Sequence, residues 1–376
     1  MGKHINILQC GALSDNKGGI ESYIRSQVEV INKNIFKIDF LISKKQKYIA
    51  YENEIKSNNC IIYKDLVPWN ESFFGHYISL YKFFKKHKNK YDIVVSNILD
   101  FHNINILIMA KFFGVKICIP HAHMAYDLRR NIIYKYLGYI NRFLSRFFCD
   151  YVFACSKSAG EWVYGKSLWN EKGIVINNAI DVDKYIFKED IRILVRNKLD
   201  LKNKLVIGHT GKFLDQKNHE FIIDIFEKVH EKNHDSILIL VGQGPLENNI
   251  RQKVKNKNLI DSVMFLGMRN DVNELLQGMD IFLFPSKYEG LPVSLVEAQA
   301  AGLKCIVSDE VISKEIAITN LVEFISLNKD AEYWSNEILK NYPYNRKNTR
   351  KEIIKAGYSV KESVKNIEEF YLNLFK

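Results

Sequence analysis

Residues 284–298 read FPSKYEGLPVSLVEA, and this stretch joins an apolar run to a helical pattern through a short loop. The apolar run predicts a strand that ends where the stretch begins. Pro292 suits the first turn of the following helix, and Gly302 suits the position just after the helix. Glu289 then lies in the loop and Glu297 in the second turn. A buried strand that leads directly into a helix is the repeating unit of a parallel α/β sheet.

The same alternation of short apolar runs and helical patterns extends through all 376 residues. The strands predicted in the first half are Ile5–Gln9, Ile38–Ile42, Cys60–Tyr63, Ile93–Ser96, Lys116–Pro120, Val152–Cys155 and Ile174–Asn177. Those predicted in the second half are Leu205–His209, Ile237–Val241, Val263–Leu266, Ile281–Phe284, Cys305–Ser308 and Glu323–Ser326. Strands that are apolar on both faces and separated by helices predict two doubly wound parallel sheets in succession.

Three segments follow from this pattern. Residues 1–178 form a Rossmann-like N-terminal domain, residues 179–359 form a second one, and residues 360–376 form a helix with one apolar face. We expect that helix to pack back on the N-terminal domain. Because ligands of doubly wound sheets bind beyond the carboxyl ends of the strands, we expect the site in a cleft between the domains.

Two segments of the second domain offer groups that bind anions. The loop at 211–219, GKFLDQKNH, follows a predicted strand and carries Lys212 and Lys217, which can neutralise a diphosphate as point charges. The amides of Gly290 and Leu291 lie at a helix N-terminus, which also favours phosphate. Each feature has an ordinary alternative, since loop lysines and loop carboxylates are often only solvated.

Weaker signals lie at other predicted strand ends. Gly18 and Gly19 follow the first strand and precede a helix, so backbone there can approach a phosphate or form a plain turn. Gly242 opens a tight GQGP loop after a strand of the second domain. His121 and His123 end a strand of the first domain and would point to opposite sides if extended, so that one could face the cleft.

The net charge of +11 is concentrated in the first half of the chain. Residues 1–180 hold 25 Lys and Arg against 14 Asp and Glu, and the remainder is neutral. This asymmetry indicates an anionic partner, such as a membrane surface, a phosphorylated acceptor or nucleic acid, or only an uneven lysine-rich composition. Basic residues do not interleave with aromatic ones as in a nucleic-acid groove, so nucleic acid is not expected as a partner.

The remaining sequence features bear on location and on metals. The six cysteines show no C-x-x-C spacing, which favours a reducing compartment over a disulfide framework or a zinc site. No signal-peptide pattern opens the chain, and the most apolar stretch, 104–119, is too short to span a bilayer. We therefore expect a cytoplasmic protein. The DVD triplet at 181–183 could be taken for a metal-binding D-x-D motif, but it opens the interdomain segment, and we expect no metal.

A possible membrane-binding helix lies in residues 73–90. Phe73, Tyr77, Leu80 and Phe84 follow a helical spacing, and five lysines crowd the C-terminal end. Such a helix can lie on the anionic inner face of the plasma membrane, or its apolar stripe can belong to the core.

Together these motifs resemble glycosyltransferase family 4, a large family of retaining enzymes with the GT-B fold of two Rossmann-like domains. The matching segments are Glu289 to Glu297 (E-x7-E), Gly211 to Lys217 (G-R-x4-K, with Lys212 for arginine), Asn178 to Asp181, Gly18 to Glu21, Gly242 to Pro245 and Phe265 to Gly267. They occur in the family's order over nearly the whole chain. His121-Ala122-His123 and Gln216 to His219 further resemble the branch found in capsule and exopolysaccharide clusters.

The resemblance implies a role for each matching residue. Glu289 would bind the transferred sugar, Glu297 the ribose, and Lys212 and Lys217 the diphosphate, while His123 would approach the sugar from the first domain. The remaining donor-site residues are Gly18, Gly19, Gly211, Gly242, Gly267, Gly290 and Leu291. The implied substrates are a nucleotide-sugar donor, with UDP expected, and a glycan or lipid-linked acceptor. No cofactor is implied.

Two other functions fit the same two-domain pattern. A non-hydrolysing sugar-nucleotide epimerase would form product without an acceptor, and a catalytically silent protein would bind the nucleotide sugar without turnover.

Overall fold

The computed structural model describes residues 4–11, 13–15, 18–98, 104–123, 132–289, 291–309 and 314–376. The chain divides into two compact units, Met1–Ala179 with Val360–Lys376, and Ile180–Ser359. The boundary that the sequence predicts falls one residue earlier. Each unit is an α/β structure with its own sheet.

The first unit contains a seven-stranded sheet of order β3-β2-β1-β4-β5-β6-β7, in which every pair is parallel. Its strands are β1 Ile5–Cys10, β2 Phe36–Ser43, β3 Ile62–Leu66, β4 Ile93–Ile98, β5 Ile117–Ala122, β6 Val152–Ala154 and β7 Gly173–Val175. Its helices are α1 Gly19–Val30, α2 Glu52–Ser57, α3 Phe73–Lys86, α4 Ile104–Phe112, α5 Ile132–Phe148, α6 Lys157–Tyr164, α7 Lys166–Lys172 and, at the end of the chain, α16 Val360–Asn373. The strand order reverses between β1 and β4, where a doubly wound sheet opens its ligand crevice.

The second unit contains a six-stranded parallel sheet of order β10-β9-β8-β11-β12-β13. Its strands are β8 Leu205–Thr210, β9 Ser236–Val241, β10 Val263–Phe265, β11 Ile281–Phe284, β12 Lys304–Ser308 and β13 Val322–Ile325. Its helices are α8 Val182–Tyr185, α9 Glu189–Lys198, α10 His219–Lys232, α11 Glu247–Asn256, α12 Val272–Gly278, α13 Val293–Ala300, α14 Ala331–Lys340 and α15 Arg350–Lys355. The order reverses here between β8 and β11.

The central strands are buried on both faces, which explains why they occur as unbroken apolar runs in the sequence. All residues of β8, β9 and β11 are buried. Helices cover both sides of a parallel sheet, so neither face can be polar. In the first unit α16 supplies part of this cover, since Val364, Ile367 and Tyr371 lie in its hydrophobic core.

The prediction of a single apolar stripe on α3 is wrong in part. Leu80 and Phe84 are buried as core residues, whereas Phe73 is 56% exposed. The buried row instead runs through His76, whose Nδ1 lies 2.7 Å from the carbonyl oxygen of Val67. This contact sets which face of α3 meets the sheet and leaves its first residue in solvent. Among the described residues, no helix is long and apolar enough to cross a membrane.

Candidate functional site

The predicted glycines of the second unit lie together at one edge of its sheet. The loops after β8, β9 and β10 share the carboxyl edge, where ligands of doubly wound sheets bind. The Gly211 amide donates to the Val241 carbonyl and the Gly242 amide to the Gly267 carbonyl, each at 2.9 Å. These hydrogen bonds tie the three loops into one continuous backbone surface.

The position of Gly242 requires glycine. Its φ is +138°, and a Cβ built there would lie 2.0 Å from the carbonyl oxygen of Gly211. A side chain would therefore separate the loop after β9 from the loop after β8. Close backbone packing of this kind leaves amides accessible to an anionic ligand.

Lys217 and Glu289 form an ion pair at the carboxyl ends of β8 and β11. Lys217 Nζ lies 2.7 Å from Glu289 Oε1, with the side chains only 15% and 5% exposed. The ammonium also lies 4.6 Å from the ring centroid of Phe284. An ammonium has three donors, so Lys217 can hold Glu289 and still donate to a phosphate oxygen.

Gln216 completes the surroundings of this pair. Its Nε2 donates to Glu289 Oε2 at 3.2 Å and to the Tyr288 carbonyl at 2.9 Å. Both carboxylate oxygens of Glu289 are therefore held by donors from the loop after β8. This arrangement fixes the carboxylate where a sugar hydroxyl could share it.

Helix α13 begins directly after this loop. Pro292 is the N-cap residue, one position before the first turn in which the sequence predicted it, and Leu291 precedes it. The first amides of an α-helix have no partner within the helix and favour an anion. Gly290, which the sequence placed in this anion site, lies outside the described residues. Gly302 has a φ of +68° just beyond the helix, as predicted.

Glu297 lies in the second turn of α13, on the same element. Its Oε1 accepts a hydrogen bond of 2.7 Å from the Tyr185 hydroxyl. Burial raises the pKa of Glu297 to about 7, against the Tyr185 hydrogen bond, which lowers it. A carboxyl group with this pKa is poised between its neutral and charged forms at neutral pH.

Lys212 differs from Lys217 in its surroundings. It is exposed, and its side chain makes no hydrogen bond or ion pair within the described residues. It follows Gly211 in the loop after β8, so its ammonium remains available to an anion that binds at this edge.

Two buried histidines, whose roles we did not predict, lie behind the lysine loop. His209 Nδ1 lies 2.9 Å from the Leu283 carbonyl oxygen, and its ring centroid is 4.9 Å from that of His219. Burial lowers the pKa of both, that of His219 to about 4. They pack as neutral rings beneath the site. The sequence feature that could have revealed them is His209, a histidine within the buried strand β8.

The glycine loop of the first unit lies at the N-terminus of α1. Gly18 is the N-cap residue with an extended backbone, and Gly19 begins the helix. The Ser22 amide bonds to the Gly18 carbonyl at 3.0 Å. The adjoining residues Asn16 and Lys17, which belonged to the predicted loop, lie outside the described residues.

His121 and His123 do not point to opposite sides, and that expectation is wrong. Residues two apart on an extended strand lie on the same face, and the ring centroids of His121 and His123 are 4.0 Å apart. Both side chains are buried. The two ring nitrogens of His123 contact Asn97 Oδ1 at 3.0 Å and Asn178 Oδ1 at 3.2 Å.

The side chains that could bind a metal ion are those of cysteine, histidine, aspartate and glutamate. All six cysteines are buried free thiols, in accord with the sequence. No group of three or more His, Cys, Asp or Glu residues within the described ranges could hold a metal ion. Whether the reaction needs a metal is decided by experiment.

The sequence is similar to those of known glycosyltransferases. Residues 192–360 match the family model described as glycosyl transferases group 1. EpsF of Bacillus subtilis (strain 168), named as a glycosyltransferase, is 28% identical over 367 residues, which cover 93% of this chain and 92% of EpsF. The UDP-Gal:alpha-D-GlcNAc-diphosphoundecaprenol alpha-1,3-galactosyltransferase of Escherichia coli is 29% identical over 320 residues, 79% of each chain.

A solved structure extends the likeness to both units. Anabaena Alr3699/HepE in complex with UDP superimposes with a TM-score of 0.70 at 16% identity, covering 97% of this chain and 94% of that chain. The two doubly wound units and the charged strand-end site thus define a glycosyltransferase of the GT-B class, as the motifs predicted. Within that class, residues 192–360 match the group 1 glycosyltransferases.

Proposed function

We propose that the chain is a retaining, metal-independent glycosyltransferase that uses a UDP-sugar and acts on a glycan or lipid-linked acceptor in bacterial surface polysaccharide synthesis. The observation that carries the proposal is the Lys217–Glu289 pair beside the N-terminus of α13. One edge of the sheet thereby offers cations for a diphosphate and a carboxylate for sugar hydroxyls. The name of the relative from Escherichia coli, a galactosyltransferase that acts on GlcNAc-diphosphoundecaprenol, supports an undecaprenol-linked acceptor.

The reaction follows from where charge develops. Breaking the bond between the anomeric carbon and the diphosphate oxygen leaves negative charge on the diphosphate and positive charge on the sugar ring. Lys212, Lys217 and the first amides of α13 stabilise the diphosphate, and Glu289 orients the sugar. Lysine in place of arginine at 212 loses a bidentate fork but keeps the charge, so phosphate binding at this position is less directional.

In the proposed route to retention, the acceptor oxygen attacks the anomeric carbon from the face that the diphosphate leaves. The acceptor hydroxyl then gives its proton to a departing phosphate oxygen, and the glycosidic bond replaces the phosphate ester bond. No protein nucleophile is needed in this step. The two lysines supply positive charge in the position that a divalent cation would otherwise occupy.

The test is release of UDP from UDP-sugars by the full chain, with and without an undecaprenyl diphosphate-linked acceptor. A transferase releases UDP only when acceptor is present. Conversion of the donor without acceptor would identify an epimerase, and binding without any turnover would identify a silent nucleotide-sugar protein. Glu289→Gln should reduce turnover by about 100- to 1,000-fold, as expected for a lost transition-state contact. Glu220→Gln, on the exposed first turn of α10, is the matched control and should retain activity.

We also propose that the first unit binds an anionic membrane surface. On α3 the exposed apolar residues are Phe73, Phe74, Ile78 and Tyr81, and the last three follow spacings of four and three. The Tyr81 ring contacts that of Phe113, at the end of α4, with centroids 5.4 Å apart. The surface is therefore continuous between the two helices, and it differs from the stripe that the sequence predicted.

Helix α5 adds a larger apolar face. Tyr139, Ile140, Phe143 and Phe147 are each more than half exposed. Their spacing places them on one side of the helix. Monomeric surfaces rarely expose so many large apolar side chains together, which points to a partner for this face.

The charges of these helices favour lipid over a protein partner. The sequences of α3, α4 and α5 contain no Asp or Glu, and their basic residues are Lys82, Lys85, Lys86, Lys111, Lys135, Arg142 and Arg146. Exposed aromatic side chains on helices whose charged residues are all basic suit an anionic leaflet, where each basic residue near the surface contributes about 1 kcal/mol. A lipid-linked acceptor would also bring the enzyme to this surface.

Liposome flotation tests the membrane proposal. Lys85→Glu with Lys86→Glu, and separately Phe143→Ser with Phe147→Ser, should each reduce recovery with anionic vesicles at least tenfold. Ile193→Ser with Leu194→Ser, which changes two exposed apolar residues on α9, is the matched control. Equal recovery of all three variants and the wild-type chain would refute this surface. Binding that is equal on neutral and anionic vesicles would refute the electrostatic part.

A further inference from the structure

A chain of buried amide side chains leads from α1 to His123. Gln9 Nε2 donates to Gln27 Oε1 at 2.9 Å, and Asn97 Nδ2 donates to Gln9 Oε1 at 3.1 Å. Asn97 Oδ1 then lies 3.0 Å from His123 Nε2, and Asn178 Oδ1 lies 3.2 Å from His123 Nδ1. Each of these five side chains is no more than 5% exposed.

The direction of this chain is set by a backbone carbonyl. An amide group has a donor end and an acceptor end of similar shape, so its neighbours decide its orientation. Asn97 Nδ2 also lies 3.5 Å from the Cys10 carbonyl oxygen, which can only accept. The nitrogen of the Asn97 amide therefore faces β1, and its oxygen faces His123.

This orientation decides the tautomer of His123. Because Asn97 presents an acceptor, Nε2 must carry the proton. A neutral imidazole then has an acceptor at Nδ1, where an amide oxygen cannot donate. The Asn178 amide must accordingly rotate by half a turn to present its nitrogen to Nδ1.

We infer that Asn97 and Gln9 are positioning residues that hold the proton of His123 on Nε2 and keep Nδ1 as a hydrogen-bond acceptor. This inference rests on the proposed function for its consequence, since His123 is the first-unit residue expected near the donor sugar. A neutral imidazole adds no charge beside the donor sugar, and both of its ring nitrogens are already hydrogen-bonded to Asn97 and Asn178. An imidazolium would instead place positive charge near a sugar ring that itself becomes positive.

The surroundings of His123 support a neutral ring. Burial lowers the pKa of His123 to about 4. The titratable group packed against it is His121, whose pKa burial and His123 also lower. Beyond His121 lies the Tyr23 ring, at 6.5 Å between centroids, and burial raises the pKa of Tyr23, so it is neutral as well.

Histidine-selective ¹⁵N labelling of the full chain tests the inference without any substrate, with the His123 signals assigned by their loss in His123→Gln. His123 should show the Nε2-protonated tautomer throughout pH 6 to 8. Asn97→Asp should raise its pKa by at least one unit, because a carboxylate stabilises the imidazolium. Asn89→Asp is the control of equal charge: it is exposed, precedes β4 at the opposite end of that strand, and should leave His123 unchanged.

The possible outcomes separate this inference from the proposed function. An Nδ1-protonated tautomer in the wild-type chain, or titration of His123 near pH 6.5, would overturn the role of Asn97 and Gln9 whether or not the chain transfers sugar. If Asn97→Asp does not fold, the wild-type tautomer still decides. If the tautomer is as inferred but acceptor-dependent UDP release is absent, only the proposed function fails. In an active enzyme, Asn97→Asp should add an acid limb to the pH profile of kcat/KM for the donor, which a purely structural defect would not produce.

Discussion

Replacing Lys217 with methionine removes an ammonium and keeps most of the side-chain length, so the Glu289 carboxylate stays buried without its cation. Both side chains are largely buried, and the Nζ–Oε1 distance is 2.7 Å. Removing one partner of a buried ion pair costs about 3 to 5 kcal/mol. Because Gln216 still donates to Glu289 Oε2, we expect the lower value, about 3 kcal/mol. In a unit of this size that corresponds to a decrease in Tm of roughly 6 to 12 °C.

A double-mutant cycle measured by urea and thermal unfolding isolates the pair. Lys217→Met combined with Glu289→Gln should recover most of the lost stability, since no buried charge is then left unpaired. Lys253→Met is the control: it breaks the more exposed Lys253–Asp224 pair and should cost about 1 kcal/mol or less. If Lys217→Met is no less stable than the control, or if the double variant is no more stable than Lys217→Met, the reasoning about this pair is refuted.

Three further predictions concern the same site. Burial raises the pKa of Glu297 from 4.5 to about 7 on folding. The free energy of unfolding that this group contributes is therefore full below pH 4.5 and is lost as the pH rises through 7. Nucleotide binding should show the opposite trend and tighten as the carboxylate forms, and calorimetry with Glu297→Gln should give an affinity that no longer varies between pH 6 and 8. Gly242→Ala should weaken nucleotide binding at least tenfold, since its Cβ would collide with the Gly211 carbonyl; unchanged affinity would show that the loops do not carry the phosphate site. Turnover should survive EDTA, and complete loss that Mn²⁺ restores would contradict the roles given to Lys212 and Lys217.

The strands were predictable because burial on both faces leaves a strong local signal. The run Ile281–Phe284 matches β11 at both ends, and Gly302 ends α13 as expected. Such features depend on residues close in sequence. The ends of other strands differed by up to three residues, as for β3, which was predicted at Cys60–Tyr63 and spans Ile62–Leu66.

The partners of the site residues could not be predicted, because they come from distant segments. Tyr185 reaches Glu297 across 112 positions, and Gln216 reaches Glu289 across 73. Tertiary contacts also decide which face of a helix is buried, and on α3 they leave Phe73 exposed. The contact between His121 and His123 is different, because the two-residue period of an extended strand already places both side chains on one face.

Hydrogen–deuterium exchange with and without a UDP-sugar tests most directly the claim that the second unit holds the donor. The account predicts slower amide exchange in peptides that cover residues 211–217, 242–246 and 291–297, the segments that carry Lys217, Gly242 and Glu297. Glu289→Gln should keep the protection at 211–217 and weaken it at 291–297, since the diphosphate contacts remain while the sugar contact is lost. Donor-dependent protection confined to other segments, with these three unchanged, would contradict the account.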